Sequence, residues 1–372
     1  MNSTRRVMTV VGTRPELIKL ARVIPELDRH FTHTLVHTGQ NFDFELNQIF
    51  FDDLGIRKPD EFLNAARGTT METIAALLIE GDKVLQKFSP DALLIYGDTN
   101  SCLIAYAAKR RKIPIFHMEA GNRCFDARVP EEINRRIIDH LADVNFVITE
   151  HARRYLLSEN FPADRIIHSG SSIPEIVEKY RQQIDQSDIL QRLSIQPKSY
   201  VVVSAHREEN VDRQDKLEEL LETLRQLAQD HEVIFSVHPR TRQRLDALAG
   251  AASLPARVRQ LKPLGYFDYM KLQAESKVVL SDSGTLTEEA GLLGFPAVMI
   301  RDAHERPEGM DEGVCLMAST APDRILSAMK IATSARANRR IPKDYKLKPV
   351  GSIVAQAIES MIDQVRRVVW SA

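Results

Sequence analysis

Between Tyr96 and Arg136 the chain carries Asp98, Glu119 and Glu131 beside Arg123 and Arg135, in the segments YGDTNSCL, IFHMEAGNRCFD and ARVPEEINRR. Carboxylates grouped with guanidinium groups can move protons to and from a weakly acidic carbon, which a merely solvated surface does not require. The apolar runs Asp91–Tyr96 and Pro114–Met118 read as strands, and each leads into acidic residues. Open α/β sheets bind ligands at the carboxyl ends of their strands, and Asp98, Glu119 and Glu131 are expected to converge there. On the helix after Pro130, Glu131 and Arg135 are i and i+4 and share a face. A step of ~100° per residue sets that face opposite an expected buried stripe of Ile133, Ile137, Leu141 and Val144. A plain surface ion pair, at ~0.3–0.5 kcal/mol, is the alternative for Glu131 and Arg135.

Other motifs also fall at strand ends. GTRPE closes the first strand: Gly12 permits a tight turn, and Pro15 suits a first helical position. Arg14 and Lys19, about one turn apart, would favour a phosphate at that helix end, against the plainer reading of a capped helix with surface charges. In SDSGTLTEEAGLLGFP, Asp282, Ser283 and Gly284 end a strand and a helix follows at once. Its backbone N–H groups and the Ser283 hydroxyl could hold a diphosphate. Thr285 and Glu288 are expected to form a capping box. That leaves Glu289 for the hydroxyls of a ribose. AHREEN places His206, VHPRTR places His238 and Arg240, and RDAHERPEGMDEG places Arg301, His304, Glu305 and Arg306 after further strands. GxGxxG and Walker A loops are absent. His30, His33 and His37 span a helix end and a strand with no fixed carboxylate, so a metal is not expected there. Asp52-Asp53 reads as a solvated helix end.

The elements that carry these motifs alternate. Expected strands are Val7–Val11, Thr34–Thr38, Asp91–Tyr96, Pro114–Met118 and Asn145–Thr149. Expected helices are Glu16 to about Ile24 (ended or kinked at Pro25), a short one near Gly55, Thr69–Lys87, Ser101–Lys109, Glu131–Leu141 and His151–Glu159. A βαβ series of this kind implies a parallel sheet covered on both faces. A polar crossing segment follows His168, and a second series starts at Tyr200. It contains VVVSA, a helix from about Lys216 to Gln229, VIFSVH, VVLSDSG, the helix Leu286–Leu293, PAVMI and VCLMA. The expectation is an α/β protein of two Rossmann-like doubly wound domains, residues 1–168 and 169–349. A C-terminal helix over 350–372, with Val354, Ile358, Met361 and Val365 on one face, rejoins the first domain.

The 372 residues suit two domains. Lys and Arg total 50 against 51 Asp and Glu, a balance that supplies no polycationic surface for nucleic acid. No apolar run approaches the ~18 residues of a membrane span, and the first residues lack the apolar core of a signal peptide. Cys102, Cys124 and Cys315 form no CxxC pair, which fits a reducing, cytoplasmic location. Cys102 and Cys315 are expected in the core. Cys124 lies in the motif stretch, but spacing alone pairs it with no histidine, so a nucleophilic role is not expected.

Taken in order, GTRPELIK, TGQN, YGDTNS, HMEAGNR, PEEINR, AHREEN, SDSGTLTEEA and RDAHERPE resemble the non-hydrolysing UDP-N-acetylglucosamine 2-epimerase family. The resemblance runs from Gly12 to about Gly313. It implies the GT-B arrangement, two Rossmann-like domains facing across a cleft that holds the active site, with no cofactor and no metal, and it implies a homodimer. It also implies inversion at C2 of a UDP-2-acetamido sugar by elimination and re-addition of UDP. By motif position, Asp98, Glu119, Glu131, Arg135 and His206 would be catalytic. Arg14, Lys19, Tyr269, Ser283, Gly284, Thr285, Glu289 and Arg306 would bind the UDP-sugar, Tyr269 near the uracil. The chain departs from the common pattern at EAGNRCFDARVPEE, at Thr285 after Gly284, and at His206-Arg207-Glu208-Glu209. It departs also at Gln40-Asn41-Phe42, where some members bind an activating second UDP-GlcNAc. MEAGNRCFDARVPEE most resembles a branch that forms UDP-N-acetyl-L-fucosamine from its 6-deoxy-L-talose epimer, and Cys124, Phe125 and Val129 would line a methyl pocket. A GT-B glycosyltransferase and a non-catalytic sugar-nucleotide sensor are the competing readings. The carboxylate cluster argues against the sensor.

Overall fold

The computed structural model describes residues 4–39, 51, 53–248, 253–334 and 341–371. Gln40, Asn41, Phe42, Asp52 and most of the short helix expected before Gly55 lie outside them. The chain forms two compact units, one reaching Ile176 and taking in the segment from Lys346 onward, the other spanning Val177–Tyr345. The units divide after Ile176 and after Tyr345, against expected boundaries at 168/169 and 349/350.

The N-terminal unit holds a seven-stranded sheet in the order β3-β2-β1-β4-β5-β6-β7. The strands are β1 Arg6–Val11, β2 Thr32–His37, β3 Glu61–Phe62, β4 Ala92–Tyr96, β5 Ile115–Met118, β6 Val144–Val147 and β7 Ile166–His168. All neighbours pair parallel. The central strands are near-continuous apolar runs because helices cover both faces, and Ala92–Tyr96 is buried throughout. Strand order reverses between β1 and β4, so their carboxyl ends frame a crevice of the kind that binds ligands in open sheets.

The C-terminal unit repeats the plan with six parallel strands in the order β10-β9-β8-β11-β12-β13. They are β8 Tyr200–Ser204, β9 Glu232–Ser236, β10 Val258–Leu261, β11 Val278–Ser281, β12 Ala297–Ile300 and β13 Cys315–Ala318. Here the order reverses between β8 and β11, the strands that lead into His206 and Asp282. One face of this sheet packs Val201, Val203, Phe235 and Leu280 against Leu217, Leu220, Leu221 and Leu224 of the helix Gln214–Asp230.

Several elements differ from expectation for local reasons. The helix expected over Glu16–Ile24 is two, Arg14–Leu20 and Ile24–His30, because Pro25 lies in the first turn of the second instead of ending the first. The long helix Thr70–Phe88 starts at a true capping box: the Thr69 hydroxyl accepts the Glu72 N–H, and the Glu72 carboxylate accepts the Thr69 N–H. The edge strands β3, β7 and β10 were not anticipated, since short edge strands with polar members carry little apolar periodicity. The C-terminal helix Val350–Trp370 buries Val354, Ile358, Met361 and Val365. It packs on the helix Ile24–His30 so closely that a Cβ on Gly351 would sit 2.4 Å from the Arg22 carbonyl oxygen. Among the described residues no helix is long and apolar enough to cross a membrane.

The helix Pro130–Leu141 carries the largest correction. Ile133 and Ile137 are 53% and 42% exposed, while Glu132, Asn134, Arg135, Ile138 and Asp139 are buried. The expected apolar stripe is therefore the outer face, and a polar face turns toward the ends of β4 and β5.

Candidate active site

In the N-terminal unit, β4 delivers Asp98 through Gly97, which turns with φ +70°. Arg135 closes on Asp98 with Nε at 2.9 Å and a second guanidinium nitrogen at 2.8 Å from the same carboxylate oxygen. The remaining arm of Arg135 reaches Glu132 at 3.1 Å. Glu132 also accepts the Cys124 N–H at 3.0 Å and the Phe125 N–H at 3.3 Å, so it anchors the loop before its own helix. Half-buried Glu131 is its neighbour. Asn134 completes the turn by donating to the Asp98 carbonyl at 3.0 Å.

Glu119 follows β5 in a left-handed conformation, φ +66°, which costs a residue with a Cβ about 1–2 kcal/mol. It ion-pairs with Lys19, whose ammonium lies 5.2 Å from the centre of the Tyr96 ring. Lys19, expected at a phosphate, thus stands beside a carboxylate. Arg14 begins its helix at the end of β1. Between them Glu16 turns inward, accepting the N–H groups of Gly12 at 2.5 Å and Thr13 at 3.1 Å and the Thr99 hydroxyl. Burial, opposed by these hydrogen bonds and reinforced by Asp98, pushes the Glu16 carboxyl up to about 7. The approach is tight: a Cβ on Gly12 would meet the Ser101 hydroxyl oxygen at 1.8 Å.

Cys124 is half-buried with Sγ 3.3 Å from the Glu132 carboxylate, and burial with that neighbour pushes its thiol up, away from a nucleophilic thiolate. Cys102 and Cys315 are buried, as expected. Val129 is buried, but Phe125 is 65% exposed and packs edge-on against Tyr155, so it lines no enclosed pocket within this unit. The histidines proposed against a metal have ordinary partners. His33 bridges Asp28 and Thr9, and His37 accepts the Gly39 N–H and packs on Phe62.

In the C-terminal unit the organiser is Asp282, fully buried at the end of β11. It accepts the backbone N–H groups of His206 and Arg207, both at 2.9 Å, and the Asn210 amide at 3.1 Å. His206 Nδ1 lies 3.1 Å from its other oxygen. Burial alone would raise this carboxyl, but His206 and Arg207 hold it far below the usual range. His206 also packs against His238, ring centres 5.3 Å apart.

Ser283, Gly284 and Thr285 follow. The Ser283 and Thr285 hydroxyls bond each other at 3.0 Å. The expected Thr285–Glu288 capping box does not form: Thr285 has helical backbone angles and caps with no side-chain bond, while Glu288 is buried 3.4 Å from Arg306. Glu289 accepts the Gln273 amide at 2.9 Å, on the helix Tyr266–Ala274 that also carries half-buried Tyr269. A Cβ on Gly284 would sit 2.8 Å from the Glu305 carboxylate. Arg207 and Arg301 flank that carboxylate at 3.6 and 3.0 Å. Arg301 is 1% exposed, and its Nε and Nη2 have no hydrogen-bond partner among the described residues. His304 accepts the Arg306 N–H at 3.0 Å and acts as a turn cap.

Sequence reasoning missed Glu16, Glu132, Asp282 and the role of Arg301. Each lies within a motif already singled out, but its neighbour carried the more obvious chemistry.

The sequence model of the UDP-N-acetylglucosamine 2-epimerase family matches residues 25–358, taking in most of both sheets. The structure of a UDP-N-acetylglucosamine 2-epimerase from Rickettsia bellii is similar at TM-score 0.92 and 50% identity, over 99% of this chain and 100% of that one. The Methanocaldococcus jannaschii UDP-GlcNAc 2-epimerase, solved in complex with UDP-GlcNAc and UDP, gives TM-score 0.89 and 30% identity over 95% and 99% of the two chains. A UDP-2,3-diacetamido-2,3-dideoxy-D-glucuronate 2-epimerase of Pseudomonas aeruginosa is 33% identical over 87% of this chain and 91% of its own. With this match added to two parallel α/β units whose motifs stand at the strand ends, the chain belongs to the UDP-N-acetylglucosamine 2-epimerase family.

Proposed function

We propose that the protein inverts C2 of a UDP-2-acetamido sugar without hydrolysing it. A base removes the C2 proton, the C1–O bond to the diphosphate breaks, and a 2-acetamidoglycal and UDP remain bound. UDP then adds back at C1 while a proton is delivered to the opposite face of C2. The observation that carries this reading is the pair Asp98 and Glu119, ending adjacent parallel strands and each held by a cation, Arg135 or Lys19. A proton on carbon needs a placed base, and the reverse step needs a placed acid. Glu131, on the helix that supplies Arg135, is the third proton-transfer candidate.

UDP leaves as a polyanion, and stabilising it is the second requirement. In this reading Ser283, Gly284 and Thr285 present the diphosphate to a helix N-terminus, with Arg306, Arg301 and His206 as donors. Arg14, at the helix start after β1 of the N-terminal unit, is a further UDP-sugar-binding candidate. Glu289 takes the ribose and Tyr269 the uracil side. Incubation with UDP-GlcNAc in heavy water tests the proposal by NMR. Epimerisation with solvent deuterium at C2 is expected. Acceptor-dependent UDP release would instead identify a glycosyltransferase, and binding without change a sensor.

The finer substrate reading is the 6-deoxy-L pair of the fucosamine-forming branch. It rests on MEAGNRCFDARVPEE, with Cys124 and Val129 as the apolar groups that remain once Phe125 turns to Tyr155. An apolar pocket rejects an added hydroxyl only ~10²-fold, so weak turnover of UDP-GlcNAc is expected beside a higher kcat/KM for the 6-deoxy sugar. A preference for UDP-GlcNAc would defeat the branch and keep the epimerase. A homodimer is part of the same proposal. Met71, Ile79, Tyr106, Ile133 and Ile137 are exposed on the neighbouring helices Thr70–Phe88, Ile104–Arg110 and Pro130–Leu141. Exposed apolar side chains on neighbouring helices are where a second copy of the chain would seat. Tyr106→Asp with Ile133→Asp should halve the mass seen by sedimentation.

A further inference from the structure

His117 and Asp139 are fully buried beneath the N-terminal strand ends, and the reaction as proposed uses neither. His117 is the third residue of β5, in register with Ile95 of β4 and Asn145 of β6. Its Nε2 lies 2.9 Å from the Gly97 carbonyl, and its Nδ1 lies 2.9 Å from the Asp139 carboxylate. Neither partner has a proton to give. A carbonyl is only an acceptor. Asp139 is already an acceptor for the Gly121 N–H at 3.1 Å and for Arg123 at 2.6 Å, and Arg123 is itself held by Glu159. Burial would raise the Asp139 carboxyl, yet His117 and Arg123 hold it below its ordinary value. Both ring nitrogens of His117 therefore face acceptors.

The pair adds a side-chain link between two turns that one backbone bond, from the Gly97 N–H to the Met118 carbonyl at 3.0 Å, already brings together. Gly97 precedes Asp98, and Gly121 follows Glu119 by two residues. Both turns hold left-handed backbone, at Gly97, Glu119 and Gly121. Such conformations persist only where the surroundings impose them. Gly121 is further confined, because a Cβ there would lie 2.5 Å from the Ala152 carbonyl oxygen. One ionic hydrogen-bond chain thus runs from the Gly97 carbonyl through His117 and Asp139 to the Gly121 N–H.

We propose that His117 and Asp139 are positioning residues: through their hydrogen bonds they tie the Asp98 turn to the Glu119 turn and fix the spacing at which the two carboxylates meet the substrate. The inference rests on the assignment of proton transfer to Asp98 and Glu119. Nothing in it requires either residue to touch substrate.

The test uses the full chain, with His117→Gln and Asp139→Asn. Hydrogen–deuterium exchange should quicken in both turns together, over residues 97–100 and 119–123, in each variant, although His117 does not touch Gly121 and Asp139 does not touch Gly97. The kcat for UDP-GlcNAc should fall ~10²-fold with KM within about threefold, as expected when reacting groups are misplaced but binding groups are not. Exchange that quickens in one turn only, or unchanged kcat in a folded variant, would overturn the proposal. Should neither variant fold, the ¹⁵N-histidine spectrum of the unaltered protein decides it. Two slowly exchanging ring N–H signals from one buried histidine support a ring that bonds both turns, and a single one refutes it. A wild-type protein with no epimerase activity would remove the reaction assigned here, while the coupled exchange of the two turns would still be measured.

Discussion

The strand ends of the two units share a topology and treat charge in opposite ways. In the N-terminal unit the carboxylates are held internally: Asp98 by Arg135, Glu119 by Lys19, Asp139 by His117 and Arg123. In the C-terminal unit a buried guanidinium, Arg301, pairs with Glu305 at 3.0 Å and lies 3.7 Å from Glu209, yet its Nε and Nη2 make no hydrogen bond among the described residues. A buried N–H on a charged group left without a hydrogen bond is costly, and such donors suit a place where a further anion is met. On the proposed roles, one doubly wound plan builds a proton-transfer site from carboxylates held by cations, and a polyanion grip from paired guanidinium groups that keep spare N–H donors. Only the residues at the strand ends need to change.

The comparison breaks most readily at the carboxylates. Asp98→Asn and Glu119→Gln should each lower turnover by ~10²–10⁴-fold, and Glu131→Gln similarly if it shares the proton work. Steady-state rates near wild type in these variants would return the residues to structural ion pairing. On the other side, Arg301→Lys and Arg306→Lys keep the charge but lose the planar fork that matches a phosphate. UDP affinity should fall ~10-fold by calorimetry, with folding retained. Unchanged affinity in both would move the diphosphate elsewhere.

A further effect, on stability and not on binding, belongs to the N-terminal unit alone and is read by pH. The Glu16 carboxyl is raised from 4.5 to about 7 by burial, so between those values the folded state binds more protons than the unfolded state. Its contribution is fully present below 4.5 and is lost as pH rises through 7, amounting to about 3 kcal/mol. Glu16→Gln should therefore flatten the fall in Tm across that window, measured against wild type. Identical Tm profiles would show that Glu16 is ionised throughout. Smallest of all, Ser283→Ala removes a hydroxyl already bonded to Thr285, and should weaken UDP by only ~1 kcal/mol.

What could be seen in the sequence follows from which forces leave a linear trace. Buried parallel strands are runs of apolar residues, so β1, β4, β5, β8 and β11 and the motifs at their ends were visible. The helix Pro130–Leu141 misled because its inner face is polar. Glu132, Arg135 and Asp139 are buried there by ion pairs, so apolar periodicity marked the solvent face through Ile133 and Ile137. That reversal also drew attention to Glu131 and away from Glu132. The partnership of Lys19 with Glu119, 100 residues apart, exists only once β1, β4 and β5 are laid side by side, and that of His117 with Asp139 only once the helix Pro130–Leu141 packs by β5.

The central claim is that proton transfer and the hold on UDP reside in different residues, and titration of UDP into Asp98→Asn tests it most directly. A dissociation constant within about threefold of wild type is expected in a variant whose turnover has fallen at least ~10²-fold. A loss of UDP affinity of tenfold or more in that variant would contradict it.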